Sequence, residues 1–145
     1  MTTQLVVGVD GSQGGVRALD HAIAVAKALQ DAHLTLVCVI EWSPYSFTTA
    51  EENAQRSKRR EEEIAMAKER VLDPALSICR EAGIEAEAVI RHGDAADILS
   101  DIAEDRSARQ IVVARKAERG IRDRLFGSVA SNLVQSAPVP VTIVP

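Results

Sequence analysis

Leu5-Val6-Val7-Gly8-Val9-Asp10 is an unbroken apolar run that stops at an acid, and Gly11-Ser12 follows it directly. A strand with one wet face would alternate apolar and polar residues, so a continuous run of this length points to a parallel strand covered by helices on both faces. Gly11 permits a turn and Ser12 can cap a helix. Val16, Leu19, Ile23, Ala26 and Leu29 then recur at helical spacing, which predicts a helix over about 13 to 30.

The same alternation continues along the chain. Leu34 to Ile40 is a second apolar run rich in β-branched residues, closed by Glu41-Trp42-Ser43-Pro44. Residues 43 to 50 read as a loop, and 51 to 82 as a long charged helix that Pro74 must kink or restart. Between Glu51 and Arg70 six acids balance six bases, the pattern of a solvated face. Gly83 ends that helix, and Ile84 to Ile90 reads as strand three. A helix from Asp94 to Ser107 follows, with Ala95, Ile98, Leu99 and Ile102 on its inner side. Gln110 to Ala114 is strand four, Ser128 to about Ser136 a last helix, and Val139 to Val144 strand five. Strands alternating with helices connect by right-handed crossovers, so the fold class is α/β, a five-stranded parallel sheet sandwiched by helices. A length of 145 residues suits one domain, 1–145. Ligands of such sheets bind beyond the carboxyl ends of the strands, where the winding reverses, which singles out the loops at 10 to 15, 40 to 45, 91 to 95 and 114 to 128.

Composition narrows the partners. The hydrophobic fraction is 46% and the charged fraction 26%, values of an ordinary globular chain without a membrane span. A net charge of -4 with only Trp42, Tyr45, Phe47 and Phe126 as aromatics lacks both the basic footprint and the stacking platforms that nucleic acid needs. Met1-Thr2-Thr3-Gln4 runs into strand one with no basic region or cleavage signature, so the expected location is the cytoplasm. Cys38 and Cys79 sit in apolar patterns and fit a reduced compartment, where cysteine behaves as a small buried hydrophobe. His21, His33 and His92 have no metal-ligand spacing; His92 alone ends a strand on the ligand side.

The loop from Ala114 to Ser128 carries five bases and two acids, net +3 within a chain of net -4. It leads from a strand's carboxyl end to Gly127-Ser128 at a helix start, whose free amides and positive dipole end favour an anion such as phosphate. The loop resembles the nucleotide signature of the universal stress protein family: glycine, two residues, glycine, nine residues, then glycine with serine or threonine. Ala114 and Ala117 stand at the two early glycines, and Gly127 and Ser128 at the final pair, with the nine-residue spacing kept. Val7-Gly8-Val9-Asp10-Gly11-Ser12, His92-Gly93-Asp94 and Ala137-Pro138-Val139-Pro140-Val141-Thr142-Ile143-Val144 are also similar to that family, so the resemblance spans essentially the whole chain.

The resemblance implies a Rossmann-like sheet of the adenine nucleotide alpha hydrolase type with strand order 3-2-1-4-5. It also implies a cytoplasmic stress-response regulator that binds ATP or another adenine nucleotide, with or without magnesium, at the ends of strands one and four. The nucleotide-binding residues it carries over are Gly8, Val9, Asp10, Val39, Ala114, Arg115, Lys116, Ala117, Gly127, Ser128 and Val129. Among them Asp10 would lie near the adenine or a phosphate-bound metal, Val39 would pack on the base, and Gly127 and Ser128 would donate to phosphate. No catalytic residue is implied, and slow ATP hydrolysis or phosphorylation of Ser128 is left open. The family's usual dimer would pair strand five, Val139 to Val144, with its copy; a regulated protein partner is expected but not identified. Because Ala114 and Ala117 add two methyl groups where the family has glycine, a second reading stands beside the first: a nucleotide-free dimer that acts through protein contacts. A receiver domain would need an acidic pair after strand one, and a dinucleotide oxidoreductase a glycine fingerprint; Asp10-Gly11-Ser12-Gln13-Gly14-Gly15 supplies neither.

Overall fold

The computed structural model describes residues 2–41, 50–116 and 127–145. Five strands, β1 (Thr3–Gly8), β2 (Ala32–Ile40), β3 (Glu85–His92), β4 (Gln110–Ala114) and β5 (Val141–Val144), form one sheet of order β3-β2-β1-β4-β5. Every pairing is parallel, with Leu5 opposite both Leu34 and Gln110, as the strand runs and the family's order predict. The helices are α1 (Gln13–Leu29), α2 (Ala50–Ala67), α3 (Asp73–Glu81), α4 (Ala95–Asp105) and α5 (Ser128–Ser136).

Period-two side chains on β1 divide the core. Leu5, Val7 and Val9 point to the layer holding Leu19, Ile23 and Ala26 of α1 with Leu72, Ala75 and Cys79. Val6 points the other way, against Leu99, Ile102 and Ala103 of α4 and Ala130 and Leu133 of α5. With Leu5, Val6 and Val7 all at 0% exposure, β1 is covered on both faces, which is why its sequence reads as a continuous apolar run. The core is aliphatic. Cys38 and Cys79 are buried in it and unbridged, and burial pushes both thiols above their ordinary value of 9.0, with the Asp10 charge adding to the effect at Cys38.

Several boundaries differ from those expected. The first strand runs from Thr3 to Gly8 rather than from Leu5 to Asp10, although Val9 N still donates to Val37 O at 2.9 Å. The fifth starts at Val141 rather than Val139, because Pro140 has no amide hydrogen and contributes only its carbonyl, which accepts from Ile111 N at 2.9 Å. The long helix ends at Ala67 and restarts as α3 at Asp73, with Pro74 in the first turn, as Pro74 requires. Five residues before it, Lys68–Leu72, widen into a π-helical turn in which Asp73 N donates to Lys68 O, and Pro74 then enters the first turn of α3, where its missing donor is tolerated. The expected loop at 43–50 lies outside the described residues except for Ala50, the first residue of α2.

Candidate functional site

The winding reverses between β1 and β4, since β1 leads to β2 on one side and β4 lies on the other. Beyond the carboxyl ends of these strands a cavity of 380 Å³ opens, within the size range of small-ligand sites. It is lined by Gly8, Val9, Asp10, Val39, Ala114, Arg115, Lys116, Gly127, Ser128 and Val129. These are all the expected nucleotide-binding residues except Ala117, which lies outside the described residues together with 118–126. Gly15, Val37, Glu41, Ala95, Leu99, Val113 and Ala130 complete the wall. Part of that second set follows from periodicity. Val37 and Glu41 flank Val39 at strand spacing, and Leu99 follows Ala95 by one helical turn.

The turn after β1 is held by its own side chains. Gly11 has φ +82, the left-handed region, and lets the chain reverse. Asp10 Oδ1 accepts from Ser12 N at 3.0 Å and Ser12 Oγ at 2.5 Å, and Ser12 Oγ accepts from Gly15 N at 3.1 Å, capping α1. A Cβ on Gly15 would stand 2.9 Å from Asp10 Oδ1 and 3.3 Å from Asp10 N, so only glycine lets the helix start close against this aspartate.

The opposite wall is built by β4 and α5. Arg115 N donates to Val144 O at 2.7 Å, and Gly127 N donates to Arg115 O at 2.7 Å, which pins the start of α5 beside the end of β4. Ala114 continues β4 and has no positive φ, so alanine sits there without the backbone strain that would demand glycine. The starts of α1, α4 and α5 lie at this edge of the sheet, and their caps differ. Ser12 caps α1 and Asp94 caps α4, its carboxylate accepting from Asp97 N at 3.0 Å. Gly127 precedes α5 and offers no side-chain acceptor, so the first amides of α5 face the cavity end of the helix without a capping partner among the described residues.

Charge is therefore distributed unevenly around the cavity. Arg115, Lys116 and the α5 start lie on the β4 side, whereas Asp10 and Glu41 lie at the ends of β1 and β2. The middle is apolar, through Val37, Val39, Leu99 and Val113. His92 lies elsewhere: its Nε2 is 3.7 Å from Glu63 Oε2 on α2, and it is not part of the cavity wall. Gly93, at φ +148, turns the chain after β3, its N–H donating to Ile40 O at 3.0 Å. Among the described residues no three His, Cys, Asp or Glu side chains cluster closely enough to hold a metal ion, and no helix is long and apolar enough to cross a membrane.

Known proteins resemble this chain in sequence and in fold. Universal stress protein MJ0531 of Methanocaldococcus jannaschii is 30% identical over 97% of this chain and 81% of its own. The structure of universal stress protein UspA from Lactobacillus plantarum superposes with a TM-score of 0.82 at 23% identity, covering 99% of this chain and 97% of that one, a likeness of fold. The universal stress protein from Archaeoglobus fulgidus, solved in complex with dAMP, is 25% identical and covers 100% of this chain and 98% of that one at a TM-score of 0.66. The profile of the Universal stress protein family matches residues 1–145, and on that match along the whole chain, this chain belongs to the universal stress protein family.

Proposed function

We propose that this protein is a cytoplasmic stress-response regulator of one domain that binds an adenine nucleotide, ATP or a shorter form, between the ends of β1 and β4. The observation that carries this reading is the uncapped start of α5 beside Arg115 and Lys116. Free amides at a helix N-terminus together with two cations suit a phosphate group, and the two neighbouring helix starts are already satisfied by Ser12 and Asp94. The valine-lined middle suits a base, and Asp10, with Oδ1 held by Ser12, has its second oxygen for a ribose hydroxyl or a magnesium ion carried in on the nucleotide. The dAMP complex of the Archaeoglobus fulgidus relative supports the same ligand class. Ala114 lines the open cavity without filling it, which favours the nucleotide reading over a nucleotide-free protein.

Binding rather than turnover is the output. Both thiols are buried in the core with raised pKa, and neither lines the cavity. Titration of nucleotide-stripped protein with ATP and magnesium should give saturable heat at micromolar concentrations. Silence up to millimolar ATP would overturn the reading and return function to surface contacts.

A second copy of the chain is the proposed partner. Among the described residues the sheet ends at β5, which pairs with β4 and leaves the other edge of the half-buried Val141–Val144 strand open. A symmetric pairing of that edge satisfies its backbone groups on both copies. Sedimentation at micromolar concentration should show a particle of twice 15.6 kDa, whereas a lone 15.6 kDa species would contradict the dimer.

A further inference from the structure

We infer that Glu41 selects the nucleotide's base, accepting a hydrogen bond from the exocyclic 6-amino group of adenine. The inference rests on the nucleotide reading above and adds to it a specificity-determining residue outside the signature loop.

Glu41 is the first residue beyond β2 and lies in phase with Val37 and Val39, and all three line the cavity. Its side chain is exposed, and among the described residues no ion pair or hydrogen bond engages its carboxylate. Asp10, the other acid of the wall, differs, since Oδ1 is occupied by the Ser12 amide and hydroxyl. Glu41 thus supplies an unengaged anionic acceptor at one end of a pocket whose other end is cationic.

The order of groups in a nucleotide fixes which end faces Glu41. Phosphate, ribose and base follow one another, and the sheet presents β4, β1 and β2 in that sequence. Neighbouring strands are roughly 4.8 Å apart, so β2 lies roughly 10 Å from β4. With phosphate at Arg115, Lys116 and α5, the ribose lies over Gly8 to Asp10, and the base reaches Val37 and Val39 with its polar edge toward Glu41. A carboxylate repels phosphate and offers only acceptors, so the group it favours on the base is an amino donor. Acceptance by a charged group makes this hydrogen bond one of the stronger kinds.

The test compares adenosine monophosphate with purine riboside monophosphate, which carries hydrogen in place of the 6-amino group, by calorimetric titration of the wild-type protein and of Glu41→Ala and Glu41→Gln. Wild type should bind the adenine nucleotide about tenfold tighter or more. Glu41→Ala should bind the two ligands within about threefold of one another, and Glu41→Gln, which keeps an uncharged acceptor, should recover part of the preference. Removing a negative charge from the pocket affects both phosphates alike, so the ratio isolates the base contact. Equal binding of the two ligands by wild type, or an undiminished ratio in Glu41→Ala, overturns the proposal while leaving the nucleotide site intact. Failure of wild type to bind either ligand overturns the nucleotide reading itself, and the proposal with it.

Discussion

Gly8→Val is expected to weaken nucleotide binding at least thirtyfold, roughly 2 kcal/mol, while the chain still folds. Gly8 ends β1 on the floor of the cavity, and a Cβ placed on it already meets Val113 Cγ1 at 3.1 Å and Leu99 Cδ1 at 3.5 Å. The two further methyl groups of valine are expected to enter the cavity that Gly8, Leu99 and Val113 all line. Both neighbours are ends of side chains rather than backbone, so they can shift by a few tenths of an ångström, and overpacking of this kind costs about 1–3 kcal/mol of stability. Titration with ATP beside a circular-dichroism melt separates the two effects. A folded valine variant that binds like the wild type would mean that the ligand does not lie over the end of β1.

Leu133→Ala is expected to cost about 2–5 kcal/mol of stability, the usual range for emptying a packed leucine site. Leu133 is 1% exposed and packs with Val6, Leu99 and Ile111 in the layer beneath α5. It is also the anchor of the helix that presents Ser128, Val129 and Ala130 to the cavity, so nucleotide affinity should fall with stability. Urea unfolding gives the number directly. Val134→Ala, one position along on the same helix but 64% exposed, should stay within about 0.5 kcal/mol of wild type and serves as the control. A Leu133→Ala loss below about 1 kcal/mol would mean that α5 is not held by this core.

The sheet was legible because burial leaves a direct mark on composition. Leu5 to Val7 and Leu34 to Cys38 are covered from both sides, and only apolar residues and the buried Thr35 satisfy that condition. The fully buried Thr35 hydroxyl is met by Arg106, whose Nη1 donates to it at 3.4 Å while pairing with Glu87, a partner that the strand's own composition does not reveal. The ends of elements were less legible, since they depend on hydrogen bonds that composition does not reveal. Asp10 reads as the last residue of a strand, yet its carboxylate is turned toward Ser12 to close the next turn. The π-helical turn before Pro74 was equally hidden, because one extra residue per turn barely disturbs an already charged, weakly periodic segment.

At the site, the strand ends and the signature loop pointed to residues that, Ala117 aside, share one cavity, but three features emerge only from the folded chain. Gly15 reads as an ordinary helical glycine until its distance from Asp10 is known. The missing side-chain cap on α5 becomes informative only when α1 and α4 prove to be capped. Ala114 reads as a departure from a glycine pattern, whereas its extended backbone shows that this position has no need of glycine.

The most direct test of the nucleotide site is the map of backbone amide shifts on adding adenosine monophosphate to isotope-labelled protein. The account predicts shifts concentrated at Gly8, Val9, Asp10, Val39, Arg115, Gly127, Ser128 and Val129, with the amides of α3 and the amino ends of the strands unmoved. Shifts confined to another surface, or none at saturating nucleotide, would contradict it.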